Sequence, residues 1–209
     1  EIDDEGKVAI NYFDQVAFHG RIKIEDGLFD EVLRAVFTSN GTTTQVVAQE
    51  GGTLPDSTTV AEILETGGVA INDMGKVAFI GRFVEAGIGG AAIREVLTTD
   101  GLVARELSVL PDGNALDDIN EDGGVAINLF GDVVFHGRTG AVKAVFTQYG
   151  MVAKVGDNLA DGTTTLKEIW EDAGVAINPY GSEVAFHGGV DNPDKPGVLV
   201  DAVFVGLAP

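Results

Sequence analysis

The sequence predicts an all-β fold built from four repeats of a four-stranded antiparallel sheet, arranged as a β-propeller, with a β-solenoid of stacked sheets as the alternative. Three observations carry this expectation. A five-residue run, Gly-Val-Ala-Ile-Asn, recurs along the chain. Every apolar run is short, rich in Val, Ile and Phe, and bounded by Gly, Asn, Asp or Pro. Within the runs, large and small residues alternate, which is the period of a strand.

The first element is Gly68-Val69-Ala70-Ile71-Asn72, which returns as Gly124 to Asn128 and as Gly174 to Asn178. A variant, Lys7-Val8-Ala9-Ile10-Asn11, precedes them, so the Asn residues are spaced by 61, 56 and 50. The second element follows a short loop: Val16-Ala17-Phe18-His19-Gly20, then Val77 to Gly81, Val133 to Gly137 and Val184 to Gly188. The Asn-x-x-Gly link between these two elements reads as a hairpin, because Asn bonds its own backbone two residues on and Gly accepts positive φ. The first repeat has Asp14-Gln15 in place of that Gly, so its turn is expected to differ. The fourth carries an extra residue, Ser182 or Glu183, which suggests a bulge.

The third element is Ala35-Val36-Phe37-Thr38, repeated as Glu95 to Thr98, Ala144 to Thr147 and Ala202 to Val205. A fourth occurs three times, as Val46-Val47-Ala48, Leu102-Val103-Ala104 and Met151-Val152-Ala153. Turn signals (Leu54-Pro55-Asp56, Pro111-Asp112-Gly113, Asp161-Gly162) and a lone Ile (Ile63, Ile119, Ile169, and Ile2 at the start) lead into the next unit. Helical periodicity is absent; the segment Thr163 to Ile169 has room for one helical turn at most.

Alternation sorts each sheet into two faces. Val69 and Ile71 share one face and Ala70 takes the other; Val77 and Phe79 oppose Ala78 in the same way. A half-wet sheet would place polar residues opposite the large ones. Ala stands there instead, so both faces are expected to be covered, bulky face on smooth face. Four strands in each 50–60 residues is the size of a propeller blade. The organisation expected is one repeat domain, 1–209, with units near 1–61, 62–117, 118–167 and 168–209, the last incomplete.

The unit resembles the tandem-repeat family described by the pattern Asn-x-x-Gly-x-x-Ala-Phe. Asn72 to Phe79 fits in full, Asn128 to Phe135 has Val134 for Ala, Asn178 to Phe186 has one insertion, and Asn11 to Phe18 lacks the Gly. The resemblance covers nearly the whole chain. It implies a propeller-like, exported or surface-anchored prokaryotic protein and implies no activity; the anchoring tail of many relatives is not among these residues.

Charge and composition narrow the function classes. With 13 basic and 33 acidic residues, the formal charge is −20, which repels nucleic acid and anionic membranes. Cysteine is absent, so there are no disulfides or thiolate metal sites. The chain opens at Glu1, the expectation for a processed or trimmed chain, and the apolar stretch Val198 to Val205 is too short to span a bilayer.

No residue is expected to be catalytic, cofactor-binding or metal-binding. His19, His136 and His187 occupy one repeat position, but Ile80 fills it in the second repeat, and its parity puts them on the Ala face between sheets. A structural role follows. Asp118-Ile119-Asn120-Glu121-Asp122-Gly123 fits the first half of a calcium loop, yet Leu129 stands where the closing Glu belongs, so it reads as a solvated acidic turn. Asp191 to Gly197 reads as a surface loop, and Asn40-Gly41-Thr42 is a glycosylation sequon in a Thr-rich turn. Trp170 is the only Trp, which disfavours a lectin with one Trp per repeat.

The function expected is therefore that of an extracellular or cell-surface structural or adhesive protein, not an enzyme. Its partner would be itself, in a homo-oligomer or filament held by edge-strand contact, since the fourth repeat has no fourth strand element. A glycan- or ligand-binding propeller module is the alternative. No nucleic acid partner and no membrane insertion are expected.

Overall fold

The structure is a computed structural model that describes residues 7–25, 30–84, 92–195 and 197–209. It is all-β, in antiparallel sheets, with one 3-10 turn at Glu65–Gly67 and no α-helix among the described residues. The chain divides into two compact units, Glu1–Arg105 and Glu106–Pro209.

The first unit holds two sheets. Sheet 1 runs in chain order through β1 (Val8–Ile10), β2 (Val16–Glu25), β3 (Asp30–Ser39) and β4 (Thr44–Gln49). Sheet 2 comprises β5 (Glu62–Ile63), β6 (Val69–Ile71), β7 (Val77–Val84), β8 (Ala92–Thr98) and β9 (Gly101–Arg105). Both β5 and β6 pair with β7, with Ile63 opposite Gly81 and Val69 opposite Phe79. The first strand is thus one strand in two pieces. The lone Ile ahead of each unit is its outer piece; the counterpart Ile2 lies outside the described residues.

The second unit repeats the plan. After a small ribbon of β10 (Ser108–Val109) and β11 (Ala115–Leu116) comes sheet 3, from β12 (Asp118–Ile119), β13 (Val125–Ile127), β14 (Val133–Thr139), β15 (Val142–Thr147) and β16 (Gly150–Lys154). Sheet 4 has β17 (Leu166–Ile169), β18 (Val175–Ile177), β19 (Glu183–Asp191) and β20 (Leu199–Leu207). Leu166–Ile169 of the segment credited with a helical turn is strand β17, paired with β19 across a register shift between Leu166 and Glu168 that lets Leu166 and Ile169 both be buried. Gly81, Gly137 and Gly188 leave room for the first-strand carbonyls of Glu62, Asp118 and Glu168, which a Cβ would meet at 2.9, 2.5 and 2.6 Å.

Cross-strand aromatic pairs hold the middle of three sheets. Phe18 stacks on Phe37 at 5.4 Å, Phe135 on Phe146 at 5.9 Å and Phe186 on Phe204 at 5.6 Å. A bulge recurs between the third and fourth strands, at Val36/Phe37, Val96/Leu97 and Val145/Phe146. It turns the fourth strand at the same place in each sheet.

The two-faced reading holds inside each unit. In the first, Ala17, Val36 and Ala48 of sheet 1 pack against Val69, Ile71, Val77, Phe79 and Leu97 of sheet 2. In the second, Val134 and Val145 of sheet 3, with Ala126 and Ala153 beside them, pack against Val184 and Phe186 of sheet 4. The smooth face of one sheet receives the bulky face of the next.

Two turn expectations are corrected. Asp14 adopts φ 58°, so Asn11 N–H still reaches the Gln15 carbonyl at 3.0 Å, as Asn72 reaches Lys76 through Gly75. The first turn has the same form as the others, because Asp tolerates the left-handed region that Gly usually fills. In the fourth repeat the extra residue lengthens the turn, since Asn178 N–H bonds the Glu183 carbonyl, and Ile177 pairs with Val184 without a bulge.

Candidate functional site

The three histidines lie where parity put them, on the smooth face of each second strand. His19 and His136 are buried, and His187 is half-buried against Trp170, with ring centroids 4.8 Å apart. The Nδ1–H of His136 donates to the Glu171 carbonyl of the following sheet at 3.1 Å, while its Nε2 is buried without a partner. Burial pushes the imidazole down to about 4 despite that bond, so it is neutral at pH 7. Among the described residues, no three His, Asp or Glu side chains converge as metal ligands.

The acidic and polar loops use their oxygens internally. The Asn120 side-chain oxygen accepts from the Asp122 and Gly123 backbone N–H groups at 2.8 Å each, and Asp118 stands 3.7 Å from Arg138. Asn40 accepts from Thr42 and Thr43 N–H at 3.0 and 2.9 Å. In the Asp191 to Gly197 loop, Asn192 accepts from Asp194 N–H at 2.9 Å; Pro196 lies outside the described residues.

Within each unit, several repeated polar residues serve the junction between its two sheets. The Asn11 side-chain amide donates to the Asn72 carbonyl at 2.9 Å, and that of Asn128 to the Gly181 carbonyl at 3.1 Å. Asn11 and Asn128 therefore each shape their own turn and tie it to the next one in the same unit. Cations on the second and third strands meet acids on the following first strand or in the turn between its two pieces. Arg34 reaches Glu62 at 3.1 Å and Glu65 at 3.3 Å, and Arg21 reaches Glu65 at 3.4 Å. In the second unit Lys143 pairs with Glu168, and Arg138 with Glu171 at 3.2 Å. Glu168 holds the Lys143 ammonium above its ordinary range.

Two linker aspartates clamp a hairpin. Asp56 accepts from the Leu102 N–H at 2.8 Å and Asp112 from the Met151 N–H at 2.7 Å. Desolvation alone would raise both carboxyls; the bonds they accept hold them below the ordinary range. Gly101 and Gly150 are required beneath them, since a Cβ at either would lie 2.1 Å from the carboxylate. Asp161, the third of the series, bonds only to its own turn, at Thr163 and Thr164, and the Thr164 hydroxyl leads in holding it down to about 2.

One buried acid escaped the sequence reading. Glu95 replaces the Ala that opens the other third elements and is fully buried. Burial raises its pKa, partly offset by Arg105 at 2.5 Å, whose guanidinium also lies 4.5 Å from the Phe83 ring centre. The break in the repeat at this position was the available signal.

Among the described residues, exposed apolar side chains gather on sheets 1 and 4. On the bulky face of sheet 1, Val8, Ile10 and Val46 are 62%, 65% and 46% exposed. On the smooth face of sheet 4, a shallow groove of about 240 Å³ is lined by Ala176, Ala185, His187 and Val203, among others.

The sequence profile of a family of unknown function, DUF7453, matches residues 2–144. The chain belongs to that family. The DUF7453 match takes in sheets 1 and 2 and ends within β15 of sheet 3. No curated protein matches the chain. Among solved structures, a luciferin-regenerating enzyme is similar at 12% identity and a TM-score of 0.33, over 97% of this chain and 60% of that one. The chain thus spans 60% of that enzyme's length. At such a score, nothing about this DUF7453 member follows from the likeness.

Proposed function

We propose that the chain is an extracellular structural or adhesive repeat protein, propeller-like in architecture, that self-associates into a surface assembly or filament. The observation that carries this reading is the exposed apolar side chains on two sheets, Val8 and Ile10 on sheet 1 and Val203 and Val205 on sheet 4. Exposed apolar patches of this kind mark protein–protein contacts. The polar groups of the repeats support it further, because they hold sheets together instead of converging on a reacting centre. Cell-surface placement draws support from the resemblance to the Asn-x-x-Gly-x-x-Ala-Phe repeats and from the cysteine-free, acidic composition.

A second reading, a glycan- or ligand-binding module, is favoured by one feature: the tilted Trp170–His187 pair beside the sheet 4 groove. Aromatic faces of this kind take apolar or sugar surfaces. Negative-stain imaging of native material separates the two. Filaments or regular oligomers are expected. Dispersed monomers whose Trp170 fluorescence responds saturably to a glycan panel would replace the first reading with the second.

A further inference from the structure

The turns that join β1 to β2, β6 to β7, β13 to β14 and β18 to β19 are built by a polar residue and present an apolar one. The Asn side-chain oxygen accepts the N–H two residues on, from Phe13 at 3.1 Å, Met74 at 3.0 Å and Tyr180 at 3.0 Å. Gly, Asn, Asp and Ser are the usual residues of such turns. Here the position holds Phe13, Met74, Phe130 and Tyr180, which are 63%, 76%, 70% and 72% exposed. One exposed apolar residue is ordinary. The same exposure at one position in all four repeats is a property of the repeat, whichever sheet the turn belongs to.

The tips adjoin in pairs inside each unit. In the first, the Tyr12 N–H donates to Asp73 Oδ1 at 2.9 Å, and the exposed Tyr12 ring meets Phe13 edge-on with centroids 5.5 Å apart. In the second, the Leu129 N–H donates to the Pro179 carbonyl at 2.9 Å, which sets Phe130 and Tyr180 on adjoining turns. Every tip also carries a carboxylate: Asp14, Asp73, Asp132 and Glu183. The last three accept from neutral groups, namely the Tyr12 N–H and the Asn128 and Asn178 amides, which leave their charge in place. Lys76 is the only cation in the four turns, and it pairs with Asp100 at 2.6 Å.

We propose that these tips are a docking surface, one pair to each unit, for a cationic polypeptide in which Lys or Arg alternates with apolar residues. The exposed tips take its apolar side chains, and the carboxylates and ring faces take its cations. The chain holds a guanidinium of its own in this way: Arg105 lies 4.5 Å from the Phe83 ring centre and pairs with Glu95. A lipid bilayer fits less well, because carboxylates at every tip resist burial in hydrocarbon. A second copy, also at −20, brings the wrong charge. The Asn turns already fix the tips, so docking orders little that is not ordered beforehand. Neither the surface nor its partner depends on self-association.

Isothermal titration of the full chain tests this with three peptides: alternating lysine and leucine, alternating lysine and serine, and alternating glutamate and leucine. The lysine–leucine peptide is expected to bind at least about tenfold tighter than lysine–serine and to weaken as sodium chloride rises. The glutamate–leucine peptide is expected not to bind. Phe13→Ser with Met74→Ser, or Phe130→Ser with Tyr180→Ser, should each halve the peptide bound at saturation. These side chains are exposed, so folding is retained and is checked by thermal unfolding. Asp14→Asn with Glu183→Gln should weaken binding and flatten its salt dependence. Equal affinity for the lysine–leucine and lysine–serine peptides, or tip variants that bind like the native chain, would reduce the interaction to bulk charge and overturn the proposal. Phosphatidylcholine vesicles bound by the native chain and not by the tip variants would assign the tips to a bilayer and also overturn it. Tip variants with a lower weight-average mass than the native chain would assign them to self-contact, with the same consequence. Absence of peptide binding at low salt would overturn the docking surface and leave self-association standing.

Discussion

At the residue scale, His136 and the linker aspartates give the clearest tests. His136 titrates at about 4 in the folded chain, below the ordinary value of 6.5, so the unfolded chain takes up the proton first. Stability from this group is whole above pH 6.5 and is lost as pH falls toward 4, by about 3 kcal/mol. Urea unfolding at pH 7 and pH 4.5 should show a smaller acid loss in His136→Gln than in the native chain; equal losses would mean the imidazole is not buried neutral. Asp56→Ala or Asp112→Ala should cost about 1 kcal/mol, modest because the carboxylates are exposed. Asp161→Ala should cost less, having no hairpin to clamp. Adding zinc or a strong chelator should leave the melting temperature unchanged. A shift of several degrees that disappears in His136→Ala would point to a metal site.

At the element scale, the stacking of smooth on bulky faces decides stability. Ala17 is fully buried against sheet 2, so Ala17→Leu should cost about 1–3 kcal/mol by overpacking. Phe79 fills the same junction from the other side, and Phe79→Ala should cost about 3–5 kcal/mol. Equilibrium denaturation that finds both neutral would contradict the two-sided burial. Much of this was legible in the sequence, because a strand's alternation writes its two faces directly as Val-Ala-Ile. Asn72 was legible as a turn former for a similar local reason. Its neighbour Asn11 was not legible as an inter-sheet donor, since the acceptor lies 61 residues away. The Pro-Asp turn at Asp56 was visible, but its clamp on the Leu102 N–H was not, for the same reason. The lone Ile looked like a linker residue because a two-residue strand has no alternation to read. Glu95 was hidden because burial of a charge depends on Arg105, a partner on the next strand.

At the scale of the whole molecule, sheets 1 and 4 carry a surplus of exposed apolar side chains. A net charge of −20 keeps copies apart at long range and hides this surplus at low ionic strength. An enzyme would gather odd, non-repeated polar groups at one mouth. Within each unit, Asn, Glu, Arg and Lys residues join one sheet to the next, as Asn11 does to the Asn72 carbonyl and Arg138 to Glu171. Self-association is the central claim, and light scattering coupled to size exclusion tests it most directly. The purified chain is run over a wide concentration range at low and high salt, with mass spectrometry fixing its termini. The weight-average mass is expected to climb with concentration and with salt. A mass that stays at 21.8 kDa under all those conditions would contradict it.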